Sequence, residues 1–247
     1  MSAPTTDYLI GCDLGRESDP AAVAVLSRTP RGNDPESPYY FEVRHVEEIP
    51  LRTPYPVLAR YLARLASAPA LLGRCNLAVD HTGPGVVMLD DLRELPELVE
   101  ITWGVCYTSG TEDRQKLMNF KVPKRTLVSN LLVLMQKGLI GVSPGCRQEI
   151  DLKTQLLRFA IKRTARANDR FEAEGSGHDD LVNAVMVAAW LGGQVEQKDG
   201  TTGAAGGFLP YQVMSGNEVK GIHAGGGRIA GWRDAEPDPN RPKARGR

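Results

Sequence analysis

Hydrophobic positions along this chain fall into short runs, and the period changes from run to run. Residues 8–14 and 21–27 are nearly continuous apolar stretches, which predict two buried strands. The link between them, Gly15-Arg16-Glu17-Ser18-Asp19-Pro20, is rich in turn formers and predicts a hairpin. A polar loop over 29–38 leads to 39–49, where partial alternation predicts a third strand. Val57, Leu58, Tyr61, Leu62 and Leu65 then recur at helical spacing, a helix of about 12 residues. A short apolar strand over 77–80, a helix over 86–95 and a strand over 99–106 follow. Pro123 is placed as the first residue of a helix that carries Leu127, Leu131, Leu132, Leu134 and Met135 and stops at Gly138. Helix is expected again over 149–157, and residues 159–164 and 170–174 are expected to pair as a hairpin. The last predicted helix, 181–191, sets Ala184, Ala188 and Leu191 on one side.

Three strands, then helix, strand, helix, strand and further helices describe an α/β chain. The expected architecture is a mixed sheet of five strands or more with helices on both faces. After Gln194 the composition turns to Gly, Pro and small polar residues, with Gly225-Gly226-Gly227 and a charged, Pro-rich end. The chain is therefore divided into a folded domain over 1–194 and a flexible, disordered tail over 195–247.

Composition narrows the class. At 247 residues and 41% hydrophobic content, one sizeable core is expected. No run approaches the roughly 18 apolar residues of a membrane span. The first residues have neither a basic segment nor an apolar signal core, so a cytoplasmic protein is expected, host cytoplasm if the gene is viral. Cys12, Cys75, Cys106 and Cys146 are isolated and read as reduced thiols. Net charge is zero, which gives no global argument for nucleic acid. The basic residues bunch locally, however: Lys116, Lys121, Lys124 and Arg125 in one group, Lys153, Arg158, Lys162, Arg163, Arg166 and Arg170 in another.

The chemistry concentrates in three aspartates. Asp13 ends the first apolar run and Asp80 ends the run over 77–80, while Asp179 and Asp180 open the last helix. In the predicted topology the strands of Asp13 and Asp80 are parallel neighbours, about 4.8 Å apart, with both carboxylates at their carboxyl ends. Gly11, Gly15, Gly83 and Gly85 are expected to keep that rim low enough for a phosphate backbone. Asp179 and Asp180 diverge by roughly 100° around a helix, so they are not expected to do the same job. Asp180 shares the apolar side with Ala184, Val187 and Leu191 and is the favoured ligand, with Asp179 as cap or supporting group; the reverse assignment stays open. Carboxylates so gathered suit hard divalent cations, and a pair of ions can activate water and stabilise a leaving oxygen. His178 and His81 are candidates for proton transfer, and equally plain loop histidines.

Four segments carry a resemblance to a known family: 11–26, starting Gly11-Cys12-Asp13-Leu14-Gly15; Val79-Asp80-His81-Thr82-Gly83-Pro84-Gly85-Val86; 122–131, starting Val122-Pro123-Lys124-Arg125; and Gly177-His178-Asp179-Asp180-Leu181-Val182-Asn183-Ala184-Val185. Together they resemble the nuclease domain of the phage terminase large subunit, from about residue 8 to 190. The resemblance implies a ribonuclease H-like fold and a metal-dependent DNA endonuclease acting in genome packaging. It also implies an acidic triad of Asp13, Asp80 and Asp180 (or Asp179) binding Mg²⁺ or Mn²⁺ as two ions. Lys124 and Arg125 match a basic pair near the DNA backbone, and Lys121, Lys162 and Arg163 are the further DNA-binding candidates. The hairpin over 159–174 matches one such nucleases carry beside the site. No GxxxxGK[ST] loop is present, so the translocating motor is not expected here. A separate terminase ATPase subunit, a small terminase subunit or a portal is the expected partner besides double-stranded DNA. Three other readings compete: a Holliday-junction resolvase of the same fold, an actin-like ATPase suggested by Asp13-Leu14-Gly15, and a packaging subunit that kept the fold without catalysis.

Overall fold

The computed structural model describes residues 6–15, 19–32, 37–82, 85–110, 113–163, 169–173 and 179–196, with backbone alone described over 158–163 and 169–173. The two opening apolar runs form β1 (Asp7–Asp13) and β2 (Ala21–Pro30), paired antiparallel, and β2 continues antiparallel into β3 (Tyr39–Ile49). Then come α1 (Tyr55–Ala66), β4 (Cys75–Asp80), α2 (Gly85–Glu94) and β5 (Thr102–Thr108). Both β1–β4 and β4–β5 are parallel, as crossover connections through α1 and α2 require. These five strands are the ones the hydrophobic pattern predicts, except that β5 starts at Thr102, because Leu98 and Val99 close turns onto Leu95.

Three short strands extend the sheet beyond the prediction. β6 (Arg114–Lys116) and β7 (Asn119–Pro123) form a hairpin on the β5 edge, and β8 (Ile140–Val142) pairs with β3 on the other. The order is β6-β7-β5-β4-β1-β2-β3-β8. β6 is exposed at all three residues and has no apolar face, so periodicity could not reveal it. Pro123 ends β7 and stands at the N-cap of α3 (Lys124–Gln136), one residue outside the helix it was expected to begin. α4 (Glu149–Arg158) leads into β9 (Phe159–Arg163) and β10 (Asp169–Ala173), which pair antiparallel as the expected hairpin. α5 (Asp180–Leu191) is the final helix.

The sheet separates two cores. α1 and α2 cover one face with Leu58, Leu62, Met88 and Leu92, packed on Ile10, Cys12, Leu77 and Val79. α3, α4 and α5 cover the other, packed on Leu9, Ala24, Val43 and Ala78. α5 is buried at every one of its 12 residues, so it is a core element and not an amphipathic surface helix. No disulfide joins the cysteines, and Cys12, Cys75 and Cys146 are buried. Among the described residues no helix is long and apolar enough to cross a membrane.

Two buried polar groups pin this core. The Arg28 guanidinium on β2 is fully buried against Asp7 on β1, with Nε 2.9 Å from Oδ1 and Nη2 2.6 Å from Oδ2. Its remaining donors reach the carbonyls of Gly192, Val195 (2.9 Å) and Glu196 (3.0 Å), so every guanidinium N–H is used. Arg28 thus ties the C-terminal end of α5 to the sheet edge. Val195 and Glu196, which the composition shift assigns to the tail, are held by this contact; the rest of the predicted tail lies outside the described residues. On the opposite face Glu47 accepts from Tyr61 (3.1 Å) and pairs with Arg147 (2.6 Å) and His45 (3.3 Å). Burial pushes the Glu47 carboxyl up, but these partners outweigh it and hold it below the ordinary carboxylate value.

Removing one partner of a buried ion pair strands the other charge, at a cost of about 3–5 kcal/mol. Arg28→Met is therefore expected to lower unfolding free energy by about that amount in urea titrations. Surface Arg44→Met, whose pair with Glu42 is partly exposed, should cost under about 1 kcal/mol.

Candidate active site

Asp13 and Asp80 are the last residues of β1 and β4, and they are direct partners in the parallel register. The two-residue period of a strand carries Leu9, Gly11 and Asp13 to the face covered by α5, and Ala78 and Asp80 likewise, while Ile10, Cys12 and Val79 face α1 and α2. Both carboxylates therefore stand at the carboxyl edge of the sheet, on the α5 side.

Gly11 decides how close α5 comes. A Cβ there would overlap the Ala184 carbonyl oxygen and lie 2.9 Å from the Ala188 Cβ. The expectation that Gly11 keeps a rim low for phosphate is thus corrected: its missing side chain makes room for the helix. Gly15 is likewise filled by its own turn, against Asp19 and Ala21. Gly85 is crowded by Leu14 and the Asp80 carbonyl, and Gly83 lies outside the described residues.

The close approach brings the start of α5 beside Asp13. Asp180 is buried, and so is Asn183 one turn on. The Asn183 side chain hydrogen-bonds Asp13. Asp179 occupies the N-cap position but makes no side-chain cap bond. The capping acceptor comes from another helix. Gln155 Oε1 on α4 accepts from the amides of Leu181 (3.0 Å) and Val182 (3.3 Å). Gln155 Nε2 in turn donates to Glu48 (3.0 Å), whose own amide donates to Gln148 Oε1 (2.7 Å). The β3 edge, the start of α4 and the acid-bearing end of α5 are thereby joined.

Asp80 is oriented locally. Its Oδ1 accepts from Thr82 N (2.9 Å) and Thr82 Oγ1 (2.5 Å), an aspartate turn, and Thr82 Oγ1 accepts from the Tyr107 amide on β5 (2.8 Å). Lys124, the first residue of α3, places Nζ 3.5 Å from Asp179 Oδ2 and 5.9 Å from the Tyr107 ring centre. Burial, then the charge of Asp80, raise the Asp13 carboxyl well above its ordinary value; the Asn183 bond and Lys124 act against this, while Asp180 adds to it. Asp80 is raised by burial, opposed by Thr82 and Lys124. The Tyr107 phenol is pushed well up by burial and by Asp80, Asp13 and Asp179.

The predicted residues Asp13, Asp80, Asp179, Asp180 and Lys124 thus share one neighbourhood. Lys121 and Arg125 flank it on exposed positions of β7 and α3. Lys162 and Arg163 belong to β9, with side chains outside the described residues, and His178 lies outside them altogether. His81 packs against Gly104, and neither ring nitrogen has a hydrogen-bond partner. Thr82, Asn183, Tyr107 and Gln155 were not anticipated. Asp-X-Thr spacing and the helical offset from Asp179 to Asn183 could have flagged the first two; nothing local marks Tyr107 or Gln155.

The donor set fits a hard divalent cation: carboxylates with an amide and a phenol beside them, of which Asp179 Oδ2, Asn183 Oδ1 and Tyr107 Oη are buried without a hydrogen bond. Among the described residues no three His, Cys, Asp or Glu side chains stand close enough to hold an ion between them. Waters would complete the coordination, as Mg²⁺ commonly requires.

Fold and acidic sheet edge together define a ribonuclease H-like α/β domain. The particular likeness is to phage terminase large subunits. Over 110 residues the chain is 36% identical to the large terminase subunits of Thermus phage G20c and Thermus virus P23-45, which covers 42% of this chain and 21% of each relative. The chain spans about a fifth of the length of those relatives. Among solved structures it is similar to the large terminase nuclease of thermophilic phage G20c with bound magnesium (TM-score 0.54, 21% identity, 76% of this chain and 82% of that one). The cobalt-bound form of that nuclease matches at TM-score 0.52 and 22% identity, over 75% and 81% of the two chains. No protein-family model matches.

Two outcomes follow from this geometry. Gln155→Leu leaves two buried amides without an acceptor and is expected to cost about 1–3 kcal/mol. Faster hydrogen exchange at Leu181 and Val182 should accompany the loss. A carboxyl whose pKa is raised on folding contributes stability that is complete below its unfolded value, 3.8 for Asp13, and is lost as pH rises through the folded value. Asp13→Asn should therefore melt several degrees above wild type in chelator at neutral pH, and the gap should close toward about pH 4 in scanning calorimetry.

Proposed function

We propose that this chain is a metal-dependent DNA endonuclease of the terminase type, cutting double-stranded DNA during genome packaging. The observation that carries the reading is the in-register pair Asp13–Asp80 at the ends of two parallel strands, with the buried start of α5 laid against it. Asp13 and Asp80 stand side by side in a partly dry edge with Asp179 and Asp180 nearby, an arrangement that favours a polyvalent cation; burial raises both Asp13 and Asp80, and the charge of Asp80 adds to the rise at Asp13.

On this reading Asp13, Asp80 and Asp180 hold the metal, Mg²⁺ or Mn²⁺, as a pair of ions. Bound there, the metal would lower the pKa of water and offset charge on the phosphodiester. Asn183 holds the Asp13 carboxylate in place, Thr82 fixes the Asp80 rotamer, and Gln155 fixes the end of α5. Lys121 and Arg125 contact the DNA backbone without reading sequence, so affinity should fall steeply with salt. These 247 residues contain no GxxxxGK[ST] loop, so ATP-driven translocation forms no part of this reading, and a terminase ATPase, a small terminase subunit or a portal is the partner it calls for.

Plasmid nicking with Mn²⁺, Mg²⁺ or chelator tests the reading. Wild type is expected to nick and linearise supercoiled plasmid only with metal, and Asp80→Asn to lose activity by orders of magnitude. Cutting by Asp80→Asn at the wild-type rate would refute the site. No cutting by wild type beside an active control nuclease would favour a non-catalytic packaging subunit.

A further inference from the structure

Lys124, which the resemblance places with Arg125 near the DNA backbone, sits differently from that neighbour and is paired with Asp179. Its neighbours Lys121 and Arg125 are exposed, but the Lys124 side chain is 28% exposed and its partner Asp179 22%. The chain leaves β7 at Pro123, paired with Thr108 at the end of β5, and turns into α3 beside the acids. The ammonium is thereby held between the Asp179 carboxylate, at 3.5 Å, and the Tyr107 ring, at 5.9 Å. Its charge also favours the ionised forms of both Asp13 and Asp80. Among the described residues no second ammonium or guanidinium is paired with Asp13, Asp80 or Asp179.

We propose that Lys124 is the resident counter-ion of the acidic centre, the ammonium that a divalent cation entering the site displaces from Asp179. The proposal rests on the metal-site reading above. A buried carboxylate cluster without metal needs a compensating charge, and a flexible four-carbon stem can supply and withdraw one without moving backbone. The same charge opposes the incoming ion. Even with the dielectric of bulk water, a monovalent and a divalent cation roughly 6 Å apart repel by about 1.4 kcal/mol, which is about tenfold in affinity. Lys124 therefore sets the metal affinity of the centre and keeps the metal-free domain stable.

The test is calorimetric titration of the metal-free full chain with Mn²⁺, comparing wild type, Lys124→Met and Lys124→Arg. Lys124→Met is expected to bind Mn²⁺ about tenfold or more tightly and to melt lower in chelator, while Lys124→Arg stays near wild type. In wild type the Lys124 Nζ resonance should shift as Mg²⁺ saturates the site, a readout that needs no variant to fold. Equal Mn²⁺ affinity in wild type and Lys124→Met, or an Nζ resonance unmoved by Mg²⁺, would overturn this proposal alone. Absence of Mn²⁺ binding by wild type would overturn the metal-site reading and this proposal with it.

Discussion

Everything at the acidic edge depends on the contact of α5 with β1 at Gly11. With no side chain there, the helix backbone at Ala184 meets the strand directly, and Ala188 follows one turn on. That approach buries all of α5 and places Asp180 and Asn183 level with the end of β1. A larger residue at Gly11 would lift the helix and separate the third carboxylate from the first two. Arg28 holds the far end of the same helix through the carbonyls beyond it, and Gln155 holds the near end through its amides. The helix is thus fixed at its middle by shape and at both ends by hydrogen bonds, which is what a site assembled from separate elements needs.

The carboxylates impose an electrostatic burden on that packing. Burial favours protonated Asp13 and Asp80, and the charges of Asp80 and Asp180 add to this at Asp13, whereas Asn183 and Lys124 at Asp13 and Thr82 and Lys124 at Asp80 favour the ionised forms. The gathered carboxylates therefore work against the stability of the metal-free fold, and Asn183, Thr82 and Lys124 offset part of that, the usual balance where function and stability compete. The Glu47 cluster on the opposite face shows the contrast: one buried carboxylate with three partners is lowered and contributes stability at neutral pH.

Much of this was legible along the chain. Strands β1 to β5, helices α1 to α5 and the hairpin of β9 and β10 follow from periodicity, turn formers and Gly138, because each is long or strongly patterned. β6, β7 and β8 escaped because they run for three to five residues and exist only through pairing with a neighbour already in place. Asp13 and Asp80 were legible because a carboxylate closing an apolar run marks a strand end, and parallel adjacency follows from the crossover through α1.

The sequence by itself determined the layer order, the strand ends that carry Asp13 and Asp80, and the helix that starts at Asp180, since these depend on local pattern and on connection rules. Only the tertiary structure decided that Gly11 serves a helix and not a phosphate, that Asp179 leaves capping to Gln155, and that Lys124 joins the acids while Lys121 and Arg125 stay outside. Those outcomes depend on distances between residues far apart in the chain, and no local pattern encodes which distant side chain fills the space that a glycine leaves.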